Sequence, residues 1–193
     1  MGPVKRWKHL MNRLRLMLDK SFYPEYLRRQ GVQIGTNTSV LYPAYIDGRL
    51  PYLVEIGDNV IISLNVTILT HDATTAYAGD LIKVGKVVIR DRCFIGANST
   101  ILCNVTVGPN SIVGAGSMVI RDVPPDTVCA GNPARVIGTV EEFKKTHAVL
   151  GKERPLFLAG NYMHPYIPEE TRKELRRALA GDFGYFCSKF PRE

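Results

Sequence analysis

The chain has 193 residues, 25 Lys and Arg against 18 Asp and Glu, and 45% hydrophobic residues. This apolar content excludes a chain disordered throughout, and the length is enough for one domain with an appendage. No apolar run approaches the ~20 residues that a membrane-spanning helix needs, which sets aside an integral membrane protein.

The net charge of +7 is uneven. Residues 1–30 hold eight basic and two acidic side chains, while the middle of the chain is close to neutral. In that first segment Val4, Trp7, Leu10, Met11, Leu14 and Leu18 fall at helical spacing, with Lys5, Lys8, Arg13 and Arg15 largely elsewhere. Residues 1–31 therefore read as a basic amphipathic helical segment. Its stripe either packs on the chain's own body or brings residues 1–20 into peripheral contact with an anionic membrane surface. Arg15 interrupts the apolar patch, so a cleaved signal peptide is not expected. A nucleic-acid partner is not expected either, because the charge is not spread over a folded surface with interleaved aromatics.

From residue 89 the chain repeats every six residues: IRDRCF, IGANST, ILCNVT, VGPNSI, VGAGSM, VIRDVP. The first position is Ile89, Ile95, Ile101, Val107, Val113 and Val119, and the fifth is Cys93, Ser99, Val105, Ser111, Ser117 and Val123. The same grammar appears upstream from Ile34 and from Ile56. The 21 residues from Ile68 to Ile89 are not a multiple of six, so an inserted loop is expected near 73–86. First and fifth positions lie four apart and point to one side of an extended segment. Gly, Asn and Asp at the segment ends accept turn conformations. Strands this short bury a face only if successive segments wind into a coil. A six-residue period does not hold one face of a helix.

Three of the four cysteines, Cys93, Cys103 and Cys129, fall inside the repeat, and with Cys187 they make no CxxC pair. They read as buried thiols of a reducing compartment, so a cytoplasmic location is expected. The four N-x-S/T triplets at Asn37, Asn65, Asn98 and Asn104 read as by-products of the repeat, not glycan sites.

The stretch IGANSTILCNVTVGPNSIVGAGSMVIRDVPPDTVCAGNPARVIG is similar to the hexapeptide-repeat acyltransferases. It most resembles the branch of maltose and galactoside O-acetyltransferases, streptogramin acetyltransferases and the sugar acetyltransferases of surface-polysaccharide synthesis. The resemblance covers residues 32–138. It implies an all-β core, a left-handed parallel β-helix, with helical N- and C-terminal appendages. It also implies a homotrimer, with acetyl-CoA and acceptor sites in clefts between neighbouring coils.

His71, in ILTHDATT, ends the first repeat block where the inserted loop begins. A rigid coil edge beside an excursion is where a site is expected. The family carries its general base in a matching context, so His71 is the expected catalytic base. An imidazole with pKa near ~6.5 can take the proton of a hydroxyl attacking a thioester. Asp72 would point away from His71 in a strand and reads as a turn residue. The resemblance assigns the pantetheine arm of acetyl-CoA to Ala97 and Ala115, and its phosphates to Arg121 and Arg135. Substrate contacts are expected from Tyr45 and Asp47, with Asn65 and Tyr42 as further candidates; coil packing or turn roles are the alternative. VLYPAYID stands where the best-known members carry an N-F-N sugar-binding element, so a simple galactoside or maltose acceptor is not implied. No metal is expected.

AGNPAR, Ala130 to Arg135, is expected to turn the chain out of the coil, since Pro133 cannot continue a ladder. Residues 139–193 read as a helical and irregular appendage with helices over 140–150 and 168–181. The function these readings imply is CoA-dependent O-acetylation of a sugar or glycan precursor. Antibiotic acetylation, N-acetylation of an amino sugar, a metal enzyme on the same coil and a non-catalytic β-helix remain open alternatives. Serine acetylation is disfavoured, because its long N-terminal helical domain has no room before Val32.

Overall fold

The computed structural model describes residues 22–162 and 166–187. The basic stripe expected within residues 1–20 lies outside them. Helix α1 (Phe22–Gln30) leads into a first winding of three strands, β1 (Gln33–Ile34), β2 (Ser39–Val40) and β3 (Tyr45–Ile46). The second winding holds β4 (Val54–Ile56), β5 (Ile61–Ile62) and β6 (Thr67–Ile68). An excursion follows with β7 (His71–Asp72) and β8 (Lys83–Val84). The third winding holds β9 (Val87–Ile89), β10 (Phe94–Ile95) and β11 (Thr100–Ile101), and the fourth β12 (Val105–Val107), β13 (Ile112–Val113) and β14 (Met118–Val119). β15 (Thr127–Ala130) starts a fifth, and β16 (Arg135–Thr139) returns antiparallel along it.

Equivalent strands of successive windings pair in parallel, so the coil has three sides. β1, β4, β9 and β12 form the first, β2, β5, β10, β13 and β15 the second, and β3, β6, β11 and β14 the third. The register stacks the repeat's first positions into columns: Ile56, Ile89 and Val107; Val40, Ile62, Ile95, Val113 and Cys129; Ile46, Ile68, Ile101 and Val119. All of them are buried, as are all six fifth-position residues from Cys93 to Val123. The buried hydroxyls are satisfied by carbonyls: Ser99 Oγ donates to Gly114 at 2.9 Å, Ser111 Oγ to Pro124 at 2.8 Å and Ser117 Oγ to Gly114 at 2.6 Å. A hydroxyl at the narrow corner thus costs little, because its partner is built in.

The corners explain the asparagines. Asn37, Asn59, Asn65, Asn98, Asn104 and Asn110 all have φ between 50° and 62°, the left-handed region that Asn tolerates. Their amides also ladder from one winding to the next, as in Asn37 Nδ2 to Asn59 Oδ1 at 2.7 Å. The four N-x-S/T asparagines are four of the residues in these left-handed turns.

The open end of a coil exposes unpaired ladder groups, a liability for edge pairing. Here α1 covers it. Arg28 donates from Nε to Ile34 O at 3.1 Å and from Nη2 to Gly35 O at 2.8 Å. The Tyr23 hydroxyl donates to Ala44 O, and Tyr23 and Leu27 are buried against the first winding. Burial pushes the Tyr23 phenol up to about 12. AGNPAR leads out of β15 as expected, but the chain then pairs back as β16 instead of leaving the sheet.

The coil unit reaches Val140, and the residues beyond it form a second compact unit. α2 (Val140–Glu153) begins at the last residue of the coil unit, and the second unit holds the rest of it with β17 (Leu156–Leu158), α3 (Ala159–Tyr162), α4 (Glu169–Ala178) and β18 (Tyr185–Cys187). α2 and α4 fall on the two expected helices. β17 and β18 pair in parallel, a feature the sequence reading does not contain. Cys93, Cys103 and Cys129 are buried free thiols, and Cys187 is partly buried. Among the described residues no helix is long and apolar enough to cross a membrane.

Ile95 and Phe94 separate core from face. Ile95 stacks between Ile62 and Val113 with no exposure, whereas neighbouring Phe94 is 41% exposed. Ile95→Ala is expected to cost roughly 2–5 kcal/mol in urea denaturation, and Phe94→Ala clearly less.

Candidate active site

A regular winding takes 18 residues, the separation of Ile89 from Val107. Ile34 and Ile56, also partners one winding apart, are separated by 22, and Ile56 and Ile89 by 33. Both additions fall at the same corner, between the third side and the first. Ile46 to Ile56 and Ile68 to Ile89 absorb all the extra residues, while the other corners keep the six-residue step. One edge of the prism therefore carries two successive protrusions, and His71 stands at the root of the second.

The excursion is a closed hairpin. β7 and β8 pair antiparallel, with His71 opposite Val84. Gly85 N–H donates to Thr70 O at 2.9 Å, which ties the return of the loop to the residue before the histidine. Asp72 accepts from Thr74 N–H at 2.9 Å and from the Thr74 hydroxyl at 2.6 Å. These bonds and the nearby Lys83 hold its carboxyl below the usual range, and it serves as the turn residue expected.

The partner of His71 is Asp47, from the first protrusion. Asp47 is fully enclosed. Its Oδ2 accepts from Thr70 N–H at 3.1 Å, from the Thr70 hydroxyl at 2.7 Å, and from His71 Nδ1. Its Oδ1 accepts from Arg49 N–H at 3.1 Å. Burial alone would push this carboxyl up. The Thr70 hydroxyl, the Arg49 N–H, His71 and the Thr70 N–H together outweigh it, and the carboxyl falls to about 2. Asp47 is thus an anion at neutral pH, able only to accept. His71 must present Nδ1–H to it, which leaves the Nε2 lone pair free. The His71 side chain is 27% exposed, so it bridges a buried anion and the surface.

This revises the expectation for Asp47. Its carboxylate is enclosed and spent on His71, Thr70 and Arg49, so it orients the His71 ring and is not available to an acceptor hydroxyl. Thr70 was not singled out by sequence reasoning at all. Tyr45 is 54% exposed on the outer face of the third side, beside Thr67. Tyr42 is half-buried with its ring edge on Tyr23, a packing role. Asn65 sits in a left-handed turn and donates to Asn98 Oδ1 at 3.2 Å, as an ordinary member of the ladder.

The residues expected to meet acetyl-CoA divide between two edges. Ala97 and Ala115 stack at the corner between the second and third sides, where Gly116 N–H donates to Ala97 O at 2.8 Å. Arg135 is exposed at the top of that same corner, just after Ala134, whose N–H donates to Met118 O at 2.8 Å. Arg121 is exposed on the His71 edge, two windings further on. Within one chain the third side separates His71 from Ala97 and Ala115. Among the described residues no group of three or more His, Cys, Asp or Glu side chains converges as a metal cage.

The family described as bacterial transferase hexapeptide (six repeats) matches residues 86–121. YvoF of Bacillus subtilis (strain 168), provisionally named an acetyltransferase, is 38% identical over 123 residues, 64% of this chain and 67% of that protein. The chain belongs to the hexapeptide-repeat acetyltransferases. Galactoside O-acetyltransferase of Escherichia coli (strain K12) is 39% identical over 99 residues, 49% of this chain and 48% of that protein. A hexapeptide-repeat acetyltransferase of Vibrio cholerae O1 biovar eltor, solved with acetyl coenzyme A, superposes with a TM-score of 0.53 at 27% identity, over 67% of this chain and 83% of that one. The coil accordingly has the family's left-handed sense, and the protein is an acetyl-transfer enzyme.

Asp47 also makes folding pH-dependent. Its carboxyl lies at about 2 in the folded protein against 3.8 ordinarily, so it stabilises the fold above about pH 4. That contribution, about 2 kcal/mol, fades as pH falls through the folded value. Urea midpoints taken from pH 5 down to pH 2 should fall less steeply in Asp47→Asn than in the parent protein.

Proposed function

We propose that the protein transfers an acetyl group from acetyl-CoA directly to a hydroxyl of a sugar or glycan precursor, with His71 as general base. The observation that carries this reading is the pairing of His71 Nδ1 with a buried, ionised Asp47 at the root of an exposed hairpin. Nε2 takes the proton of the acceptor hydroxyl as its oxygen attacks the thioester carbonyl. The new C–O bond forms, the C–S bond breaks, and the proton passes from Nε2 to the departing thiolate. The Nδ1 proton stays on the ring throughout. Asp47 offsets the imidazolium charge and keeps the ring in its useful tautomer. No cysteine is required as nucleophile, and burial raises the thiol pKa of Cys93 and of Cys129, which keeps both protonated.

A sugar acceptor is supported by the name of the galactoside O-acetylating relative and by Tyr45, an exposed aromatic face near the corner. We infer a role in glycan or surface-polysaccharide modification and a cytoplasmic location, with residues 1–20 as the segment for any peripheral membrane contact. The acetyl-CoA cradle is assigned to Ala97 and Ala115, whose small side chains let a pantetheine arm approach, and to Arg135 and Arg121 for its phosphates. Because His71 and the alanine column occupy different edges, we infer a homotrimer in which the His71 edge of one copy faces the alanine edge of the next.

Two measurements test this. Thiol release from acetyl-CoA, run against a panel of sugars, nucleotide sugars and oligosaccharides, should fall by ~10²–10⁴-fold in His71→Ala. If no acceptor raises the rate above that of His71→Ala, the reaction is wrong. Co-refolding equal amounts of His71→Ala and Ala115→Trp should then restore about a quarter of the sites, since each cleft draws one edge from each of two copies. No recovery would place the whole site in one chain.

A further inference from the structure

Resting on the proposed reaction, we infer that Thr70 is a positioning residue of the site: its hydroxyl fixes the Asp47 carboxylate that sets the tautomer and orientation of His71. Thr70 is the last residue before the histidine, fully buried, and bonded through three groups. Its N–H and Oγ1 both donate to Asp47 Oδ2, at 3.1 and 2.7 Å. Its carbonyl accepts from Gly85 N–H at 2.9 Å. One residue thus joins the first protrusion, the returning strand of the hairpin and the base.

The hydroxyl has a specific task in this arrangement. Asp47 Oδ2 serves two clients, Thr70 and His71, whereas among the described residues Oδ1 is held only by Arg49 N–H at 3.1 Å. A carboxylate on a single side-chain torsion turns easily, and a rotated Asp47 would offer His71 the wrong oxygen or none. The Thr70 hydroxyl acts with the Arg49 N–H as a second fixed point, so the carboxylate plane cannot swing away from Nδ1. The same bond removes electron density from Oδ2. That keeps the ring proton on Nδ1 instead of drawing it onto the carboxylate. The other charges near the ring, Asp72 and Lys83, face each other across β7 and β8, and neither holds Nδ1. A buried anion depends on each of its donors, so losing one is not neutral.

Substitution separates this role from packing. Thr70→Val keeps the shape and removes the hydroxyl, whereas Thr70→Ser keeps the hydroxyl and removes the methyl group. The readout is the ¹⁵N spectrum of His71 in the full chain without substrate, with acetyl transfer measured alongside. The parent protein and Thr70→Ser should show one tautomer, protonated at Nδ1. Thr70→Val should show a mixture, with kcat lower by roughly tenfold and KM for acetyl-CoA within about twofold. If Thr70→Val keeps the single tautomer and the parent kcat, or if Thr70→Ser is the impaired variant, Thr70 is a packing residue and the inference fails. Should the valine variant not fold, Thr70→Ala, which sets no apolar methyl against the carboxylate, takes its place. The spectrum needs no acceptor. A tautomer that follows the hydroxyl in a protein that acetylates nothing would uphold the network and overturn the proposed reaction instead.

Discussion

The structure depends on lateral pairing between windings. A strand of two or three residues is far too short to exist alone, yet here every strand of the second and third windings is hydrogen-bonded above and below. The ladder fixes register, and register fixes which side chain stands over which. A column such as Val40, Ile62, Ile95, Val113 and Cys129 is both the core and the ruler. A slip of one residue would turn the whole column outward, so the register is strongly held. Such a scaffold is stiff in one particular way: a residue at a corner keeps its height and direction even when the loop beside it is elaborated.

The site uses that property. Extra residues enter only at the corner between the third and first sides, four in the first winding and fifteen in the second, and the columns run on undisturbed past both. The first protrusion brings Asp47 inward and the second starts at His71. Neither protrusion makes the pair alone. They meet because the ladder stacks them, as Asp47 N–H bonded to Ile68 O at 2.9 Å shows. The carboxylate can be buried because the corner supplies four donors to it.

This also explains what could be read from the sequence. The repeat was legible because its period is local: each aliphatic is six residues from the next, and no long-range knowledge is required. His71 was legible because it stands where the period stops. The role of Asp47 was not. A regular winding of 18 residues would set residue 53 beside His71, and only the four added residues bring the 47–49 turn there instead. The count from Ile34 to Ile56 carried that information, but it becomes meaningful only once those two residues are known to be partners. Thr70 was hidden for the same reason, since a threonine before a histidine gains significance only from the carboxylate above it. The capping of the first winding by Arg28, and the pairing of β17 with β18 across 26 intervening residues, have no periodic signature either.

The separation of edges gives the remaining step. Of the residues proposed for acetyl-CoA, Ala97, Ala115 and Arg135 run from the third winding to the end of the coil on one edge, whereas His71 lies in the second winding on another, the edge that also carries Arg121. If the acetyl donor occupies the upper windings, the acceptor must approach His71 from the first and second. There the surface is made by the 47–53 turn and by Tyr45, not by the repeat. Donor recognition can therefore be written in residues that the repeat constrains, and acceptor recognition in residues that it leaves free. A chain can keep the columns, His71 and its Asp47–Thr70 support while changing what it acetylates, because the two kinds of residue answer to different physical demands.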